Sequence, residues 1–156
     1  MGAYVCAILL VALALLLVSA GIEDARNREI ANWKNAAIAL MAPLWWWAAG
    51  LSLWPDIAWQ IGIAALVFAF FVGAFALGQM GGGDVKMIGA LALWLPVLPL
   101  LSMLVLMSLI GGVLTLVLMV ERRLRRSTKV LEIPYGIAIA IAALLVLREP
   151  IFNQFM

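Results

Sequence analysis

Two acidic residues stand apart from the loop charges of this 156-residue chain. Asp24 sits in GIEDARNREIANW, just past an apolar run, and Asp84 closes a glycine run in QMGGGDVKM. Two carboxylates that meet in a partly dry site cannot both ionise cheaply; one keeps its proton while the other stays charged as a base. Such a pair can activate water against a peptide carbonyl. The ionised member takes the proton from water, and the protonated member polarises the carbonyl. The pair titrates as a unit, so residue type alone assigns neither role. Gly81, Gly82 and Gly83 remove side-chain bulk beside Asp84 and permit unusual dihedrals. An extended substrate can then approach and hydrogen-bond there in strand fashion. A plainer reading of the same residues stays open: Asp84 as the N-cap of a helix, the glycines as a turn, and Asp24 as a solvated charge beside Arg26 and Arg28.

Other chemistries are excluded by what the chain lacks. It has no histidine, which removes Ser-His catalysis and histidine metal sites. Cys6 is the only cysteine, so neither an intrachain disulfide nor a cysteine-rich zinc site can form. It also falls toward the end of helix 1 opposite the acids, which argues against it as a nucleophile. Lys86 can stabilise a charged aspartate, bind a lipid phosphate or set topology, and Asn32 and Glu132 either border the site or are solvated. Asp56 follows Pro55 and is expected to cap helix 3 at the far end. The basic residues are few and lie between apolar spans, which excludes nucleic acid as a partner.

The elements that must position these residues are membrane helices. The chain is 67% hydrophobic and 12% charged, whereas a soluble domain is about half apolar and about a quarter charged. Lipid must therefore cover part of the surface. The expectation is an all-α integral membrane protein, a bundle of about six transmembrane helices forming one domain over 1–156. Residues 1–20 lack the positive n-region of a signal peptide and match the ~20 residues that span a bilayer, so they read as a retained helix. Apolar runs place helix 1 at 3–22, helix 2 at 35–53, helix 3 at 57–78 and a polar-glycine break at 79–84. The run 85–120 would extend about 54 Å as one helix, against a hydrocarbon core of about 30 Å. Pro96 and Pro99 offer a reversal, dividing it into a short helix 4 at 85–97 and helix 5 at 100–121. Helix 6 follows at 134–148.

Charge then sets the orientation. Arg26, Arg28 and Lys34 follow helix 1, Lys86 follows helix 3, and Arg122, Arg123, Arg125, Arg126 and Lys129 follow helix 5; only Arg148 lies on the other side. By the positive-inside rule these three loops are cytoplasmic and both termini lie on the extracytoplasmic side. Asp24 and Asp84 then share a depth on the cytoplasmic face although sixty positions separate them. The arginine cluster sets orientation and touches anionic lipid. Trp45, Trp46, Trp47, Trp54, Trp59 and Trp94 fall toward the outer boundary and Trp33 at the inner one, as anchoring and packing residues. Gly111 and Gly112, and the small residues Gly136, Ala138, Ala140, Ala142 and Ala143, suit close helix packing.

These motifs resemble those of the prepilin peptidase family, membrane aspartyl proteases with a GxGD motif. Gly81, Gly83 and Asp84 match GxGD within GGGDVKM. Asp24 with Arg28, Ile30 and Asn32 matches the family's pattern of an aspartate followed by a basic stretch, isoleucine, proline and asparagine; Ala31 stands where that proline is usual. Ile133-Pro134-Tyr135-Gly136 resembles a Pro-aromatic-Gly element at the last core helix. The resemblance implies Asp24 and Asp84 as the catalytic pair, with Gly81, Gly82, Gly83, Lys86, Asn32 and Pro134 shaping the site or binding substrate. It implies no cofactor and no metal, water being the nucleophile. The substrate it implies is a type IV-like prepilin with a basic leader before an apolar helix, cleaved at the cytoplasmic face of a bacterial inner membrane, with lipid and the pilus assembly machinery as further partners. The cysteine-bearing segment of the larger bifunctional members is not found in this sequence, which resembles the short peptidase-only form of Flp or Tad pili, without N-methyltransferase activity. Two rival readings are a small transporter or channel subunit, since boundary acids also suit ion pathways, and a non-catalytic membrane scaffold.

Overall fold

The computed structural model describes residues 2–124 and 133–155, the last seven by backbone alone. Arg125, Arg126, Lys129 and Glu132, and the side chain of Glu149, lie outside the described residues. The helices are α1 (Gly2–Asn27), α2 (Asn32–Ala48), α3 (Ala58–Ala76), α4 (Gly82–Ala92), α5 (Val97–Leu124) and α6 (Tyr135–Phe155), with a bent turn over Leu53–Ile57 leading into α3. No strand occurs among the described residues.

The expected helices are all present, but several ends move, for reasons that bear on the acids. Helix 1 continues past residue 22 to Asn27, so Asp24 lies inside it rather than beyond it. Leu10, Leu13, Leu17, Ala20 and Asp24 recur at spacings of three and four and are all buried. The aspartate is thus the last member of the stripe that packs α1 into the bundle. The helix stops where Arg28 turns to a positive φ of 58°, its N–H still donating to the Asp24 carbonyl at 3.0 Å. That left-handed conformation costs a residue with a β-carbon roughly 1–2 kcal/mol.

Helix 4 begins earlier than expected, at Gly82, with Gly81 extended as its N-cap. Asp84 therefore sits in the first helical turn and not at the N-cap, and only part of the glycine run is a break. The reversal after α4 falls at 93–96; Pro99 lies in the first turn of α5, where no N–H is needed. Lys34, expected as a loop charge, lies in the first turn of α2 and is buried.

Three segments are long and apolar enough to cross a membrane: Gly2–Asn27, Leu53–Ala76 and Val97–Leu124. With α2 and α6 beside them, the chain is a multi-pass membrane protein. α4 has eleven residues, roughly 16 Å of helix and too short to cross. It packs against α2, α3 and α6, and its Met87, Ile88 and Leu91 are fully buried. A helix that ends inside the bundle leaves carbonyls without partners, which lipid cannot satisfy. Side chains take that role here. Gln60 Nε2 donates to the Ala92 and Leu95 carbonyls at 2.7 and 2.6 Å, and Trp46 Nε1 donates to the Leu93 carbonyl at 2.8 Å. Trp94 Nε1 reaches back to the Ile38 carbonyl at 2.8 Å. Trp46 and Trp94 are thus interior residues, while Trp33, Trp47, Trp54 and Trp59 stay exposed. Asp56, expected to cap helix 3, instead accepts from the Ser52 N–H and hydroxyl at 3.1 and 2.8 Å and closes the preceding turn.

α6 packs on α1 and α5. In lipid, association rests on close van der Waals contact, which small residues permit. Ala138, Ala140, Ala142 and Ala143 are buried as expected. A β-carbon at Gly21 would stand 3.2 Å from that of Ala140, and one at Gly111 would stand 2.8 Å from the Tyr135 ring. Gly112 meets nothing within 4 Å, so only one of the two α5 glycines serves packing.

Candidate active site

One end of the bundle gathers the polar residues. Asp24 comes from the last turns of α1, Asp84 from the first turn of α4, and Gly136 from the first turn of α6. Asp24, Arg28, Glu29, Ile30, Asn32, Gly81, Gly82, Gly83 and Asp84 line one cavity of about 470 Å³. A larger groove of about 680 Å³ lies between α3 and α5, away from both acids. Its only polar side chain, Ser108, already donates its hydroxyl to the Leu104 carbonyl, so chemistry belongs to the smaller, polar cavity.

The two acids are held differently. Asp24 is 4% exposed and accepts a hydrogen bond from the Ile137 N–H at 3.2 Å and another from the Gly136 N–H. The positive end of α6 therefore points at this carboxylate, and the two N–H groups offset part of the cost of burying it. Gly136 is required by that approach, because a β-carbon there would stand 2.8 Å from Asp24 Cγ and 2.7 Å from Ile30 Cδ1. Asp84 lies outside the three long spans and is 8% exposed. Burial pushes its carboxyl up to about 7, and the charge of nearby Asp24 adds to the effect, against a hydrogen bond from the Gly81 N–H. The glycine turn is crowded rather than loose. A β-carbon at Gly81 would stand 3.0 Å from Asp84 Oδ2, at Gly82 3.3 Å from the Phe75 ring, and at Gly83 3.3 Å from Ile30 Cβ. Ile30 thus wedges between the first turns of α4 and α6.

Of the expected site residues, Asp24, Asp84, Gly81, Gly82, Gly83 and Asn32 meet on the cavity wall. Lys86 does not. Its ammonium donates to Asn32 Oδ1 at 2.7 Å and it borders an apolar groove between α3 and α4. Pro134 is buried off the cavity wall, one residue before α6. Sequence reasoning missed Glu23, Lys34 and Asn35. Lys34 Nζ pairs with Glu23 Oε2 at 2.9 Å, and Asn35 Nδ2 donates to the Gly83 carbonyl at 3.0 Å. The signal for Asn35 was present: it falls on the buried stripe Asn35, Ile38, Ala42, Trp46 of α2. No cluster of three His, Cys, Asp or Glu side chains that could hold a metal stands among the described residues.

Fold and site together define an all-helical, multi-pass membrane protein with two buried carboxylates facing one polar cavity. Residues 10–116 match the family model of the type IV leader peptidase family, and the chain belongs to that family. No curated protein and no solved structure matches the chain.

Proposed function

We propose that the chain is an aspartic endopeptidase of the GxGD type that removes the leader from type IV-like prepilins of the Flp kind, with Asp24 and Asp84 as its catalytic pair. The observation that carries this reading is that two buried acids from distant helices line one polar cavity at the same end of the bundle. Family membership supplies the substrate class, a prepilin. The raised carboxyl of Asp84 and the hydrogen-bonded carboxylate of Asp24 suit unequal roles, so Asp84 carries the shared proton and Asp24 the charge. Asp24 takes a proton from water, whose oxygen bonds to the scissile carbonyl carbon, and Asp84 passes its proton to the carbonyl oxygen. When the C–N bond breaks, Asp24 gives its proton to the leaving nitrogen, and Asp84 recovers one from a hydroxyl of the diol. The polar cavity that opens beside Asp84 and the glycine turn gives room for an extended segment of substrate.

Arg28 on the cavity wall, with Arg26 at the end of α1 and Arg122 at the end of α5, supports a cytoplasmic orientation of the site and extracytoplasmic termini. No observation favours a transporter: among the described residues the buried charges, Asp24, Lys34 and Asp84, gather at one end of the bundle. The test is cleavage of a purified Flp-type prepilin by the purified protein in lipid. Asp24→Asn and Asp84→Asn are each expected to lower the rate by at least ~10²-fold while membrane level and a cooperative melting transition persist. Undiminished processing by either variant refutes the pair.

A further inference from the structure

We infer that Lys34 and Asn35 are positioning residues: with two adjacent side chains, the first turn of α2 grips the end of α1 that carries Asp24 and the glycine turn that carries Asp84, and so sets the separation of the two carboxylates. This rests on the reading of Asp24 and Asp84 as the catalytic pair.

Neighbouring residues on a helix point about 100° apart, so one turn of α2 can address two partners at once. Lys34 reaches α1. Its ammonium lies 2.9 Å from Glu23 Oε2 and donates to the Ser19 carbonyl at 3.0 Å. The same Glu23 oxygen accepts the Ala31 N–H at 3.1 Å, which ties both ends of the 28–31 loop to one carboxylate. Asn35 reaches α4, donating to the Gly83 carbonyl at 3.0 Å. Each grip falls on the residue just before an acid, Glu23 before Asp24 and Gly83 before Asp84. Between the grips sits Ile30, whose atoms come within 3.3 and 2.7 Å of the β-carbon positions of Gly83 and Gly136. The acids therefore share a frame although their helices are distant in sequence.

Stability alone does not account for the two side chains. Lys34 is 6% exposed and Asn35 is 4% exposed. Asn35 Oδ1 has no hydrogen-bond partner among the described residues. A partly exposed ion pair contributes little, and a half-satisfied buried amide is commonly matched or bettered by an apolar residue of the same size. What apolar residues could not supply is the pair of directed bonds.

The test uses the full chain with Cys6→Ser, nitroxide labels at Ala25→Cys and Gln79→Cys, and both cleavage kinetics and the inter-label distance distribution. Asn35→Leu and Lys34→Met are expected to broaden that distribution. They should lower kcat ~10–100-fold and leave KM within ~3-fold, since a misplacement near 1 Å is enough for such a loss. Should Lys34→Met fail to fold because Glu23 loses its ion-pair partner, Glu23→Gln with Lys34→Met removes both charges and keeps an acceptor for Ala31. Wild-type distances and kcat in Asn35→Leu and in the neutral pair would overturn the inference. Asp24→Asn and Asp84→Asn on the same labelled background separate the two claims. Continued cleavage by those variants sinks the peptidase reading, while the distances still report on the grip.

Discussion

Replacing Gly136 by alanine adds one methyl group where α6 meets Asp24. Its β-carbon would stand 2.8 Å from both Asp24 Cγ and Oδ2, and 2.7 Å from Ile30 Cδ1. Non-bonded carbons settle at about 3.5–4.0 Å, so the neighbours must retreat by roughly 1 Å. Asp24 has little freedom to do so, being buried and bound to the Ile137 N–H at 3.2 Å. Overpacking of this kind costs about 1–3 kcal/mol. Alanine recovers about 0.5–1 kcal/mol over glycine inside a helix, leaving a net loss from near zero to ~2.5 kcal/mol. Activity should suffer more than stability, because a 1 Å displacement of a reacting carboxylate is worth ~10²-fold. The control is Gly112→Ala in α5, where nothing lies within 4 Å and the helix-propensity gain stands alone. Melting temperature and initial rate of prepilin cleavage, measured side by side, should show Gly112→Ala unchanged or more stable at full rate. Gly136→Ala should retain most of its stability and ~1% of the rate. A Gly136→Ala enzyme with wild-type kcat would refute the claim that α6 fixes the working position of Asp24.

The Asp84 carboxyl, raised to about 7, holds its proton when folded where the unfolded chain has lost it. Cleavage should therefore decline as pH rises through about 7, and a rate still climbing toward pH 9 contradicts the assignment. By linkage, the same group favours the folded state at low pH and loses that contribution as pH rises from ~4 to about 7. Asp84→Asn should gain in melting temperature relative to wild type at pH 8 but not at pH 4. Gln60→Leu strands the Ala92 and Leu95 carbonyls, at about 1–3 kcal/mol each. It should lower melting temperature while the folded fraction keeps its kcat. With Cys6→Ser, a single cysteine at Arg26 should react with an impermeant thiol reagent only from the cytoplasmic side, and one at Trp54 only from the other; the reverse pattern overturns the proposed orientation.

Asp24, Asp84 and the glycines between 81 and 83 were legible because chemistry-bearing residues in an apolar chain are few and each must be accounted for. The helix ends were legible only to within a few residues. Asp24 looked like a loop charge because hydropathy ends the span at the first acid, although a buried stripe carries the helix on to Asn27. Lys34 was misplaced for the same reason: a lysine beside an apolar run reads as a solvated flank until its partner, Glu23, is seen across the turn. For Lys86 the sequence left a partner aspartate, a lipid phosphate and a topology role open; two residues along a helix face different directions, and its ammonium goes to Asn32.

Composition and local pattern determined that this chain lies in a membrane as helices and which two acids could be reactive, since the cost of burying charge in lipid is paid residue by residue and can be read that way. Only the tertiary structure decided that α6 aims its first N–H groups at Asp24, that α4 stops inside the bundle under the side chains of Gln60 and Trp46, and that Lys34 and Asn35 hold the two acid-bearing turns. Most of these contacts join residues dozens of positions apart. Their partners are chosen by how helices pack in space, and no local spacing rule encodes that.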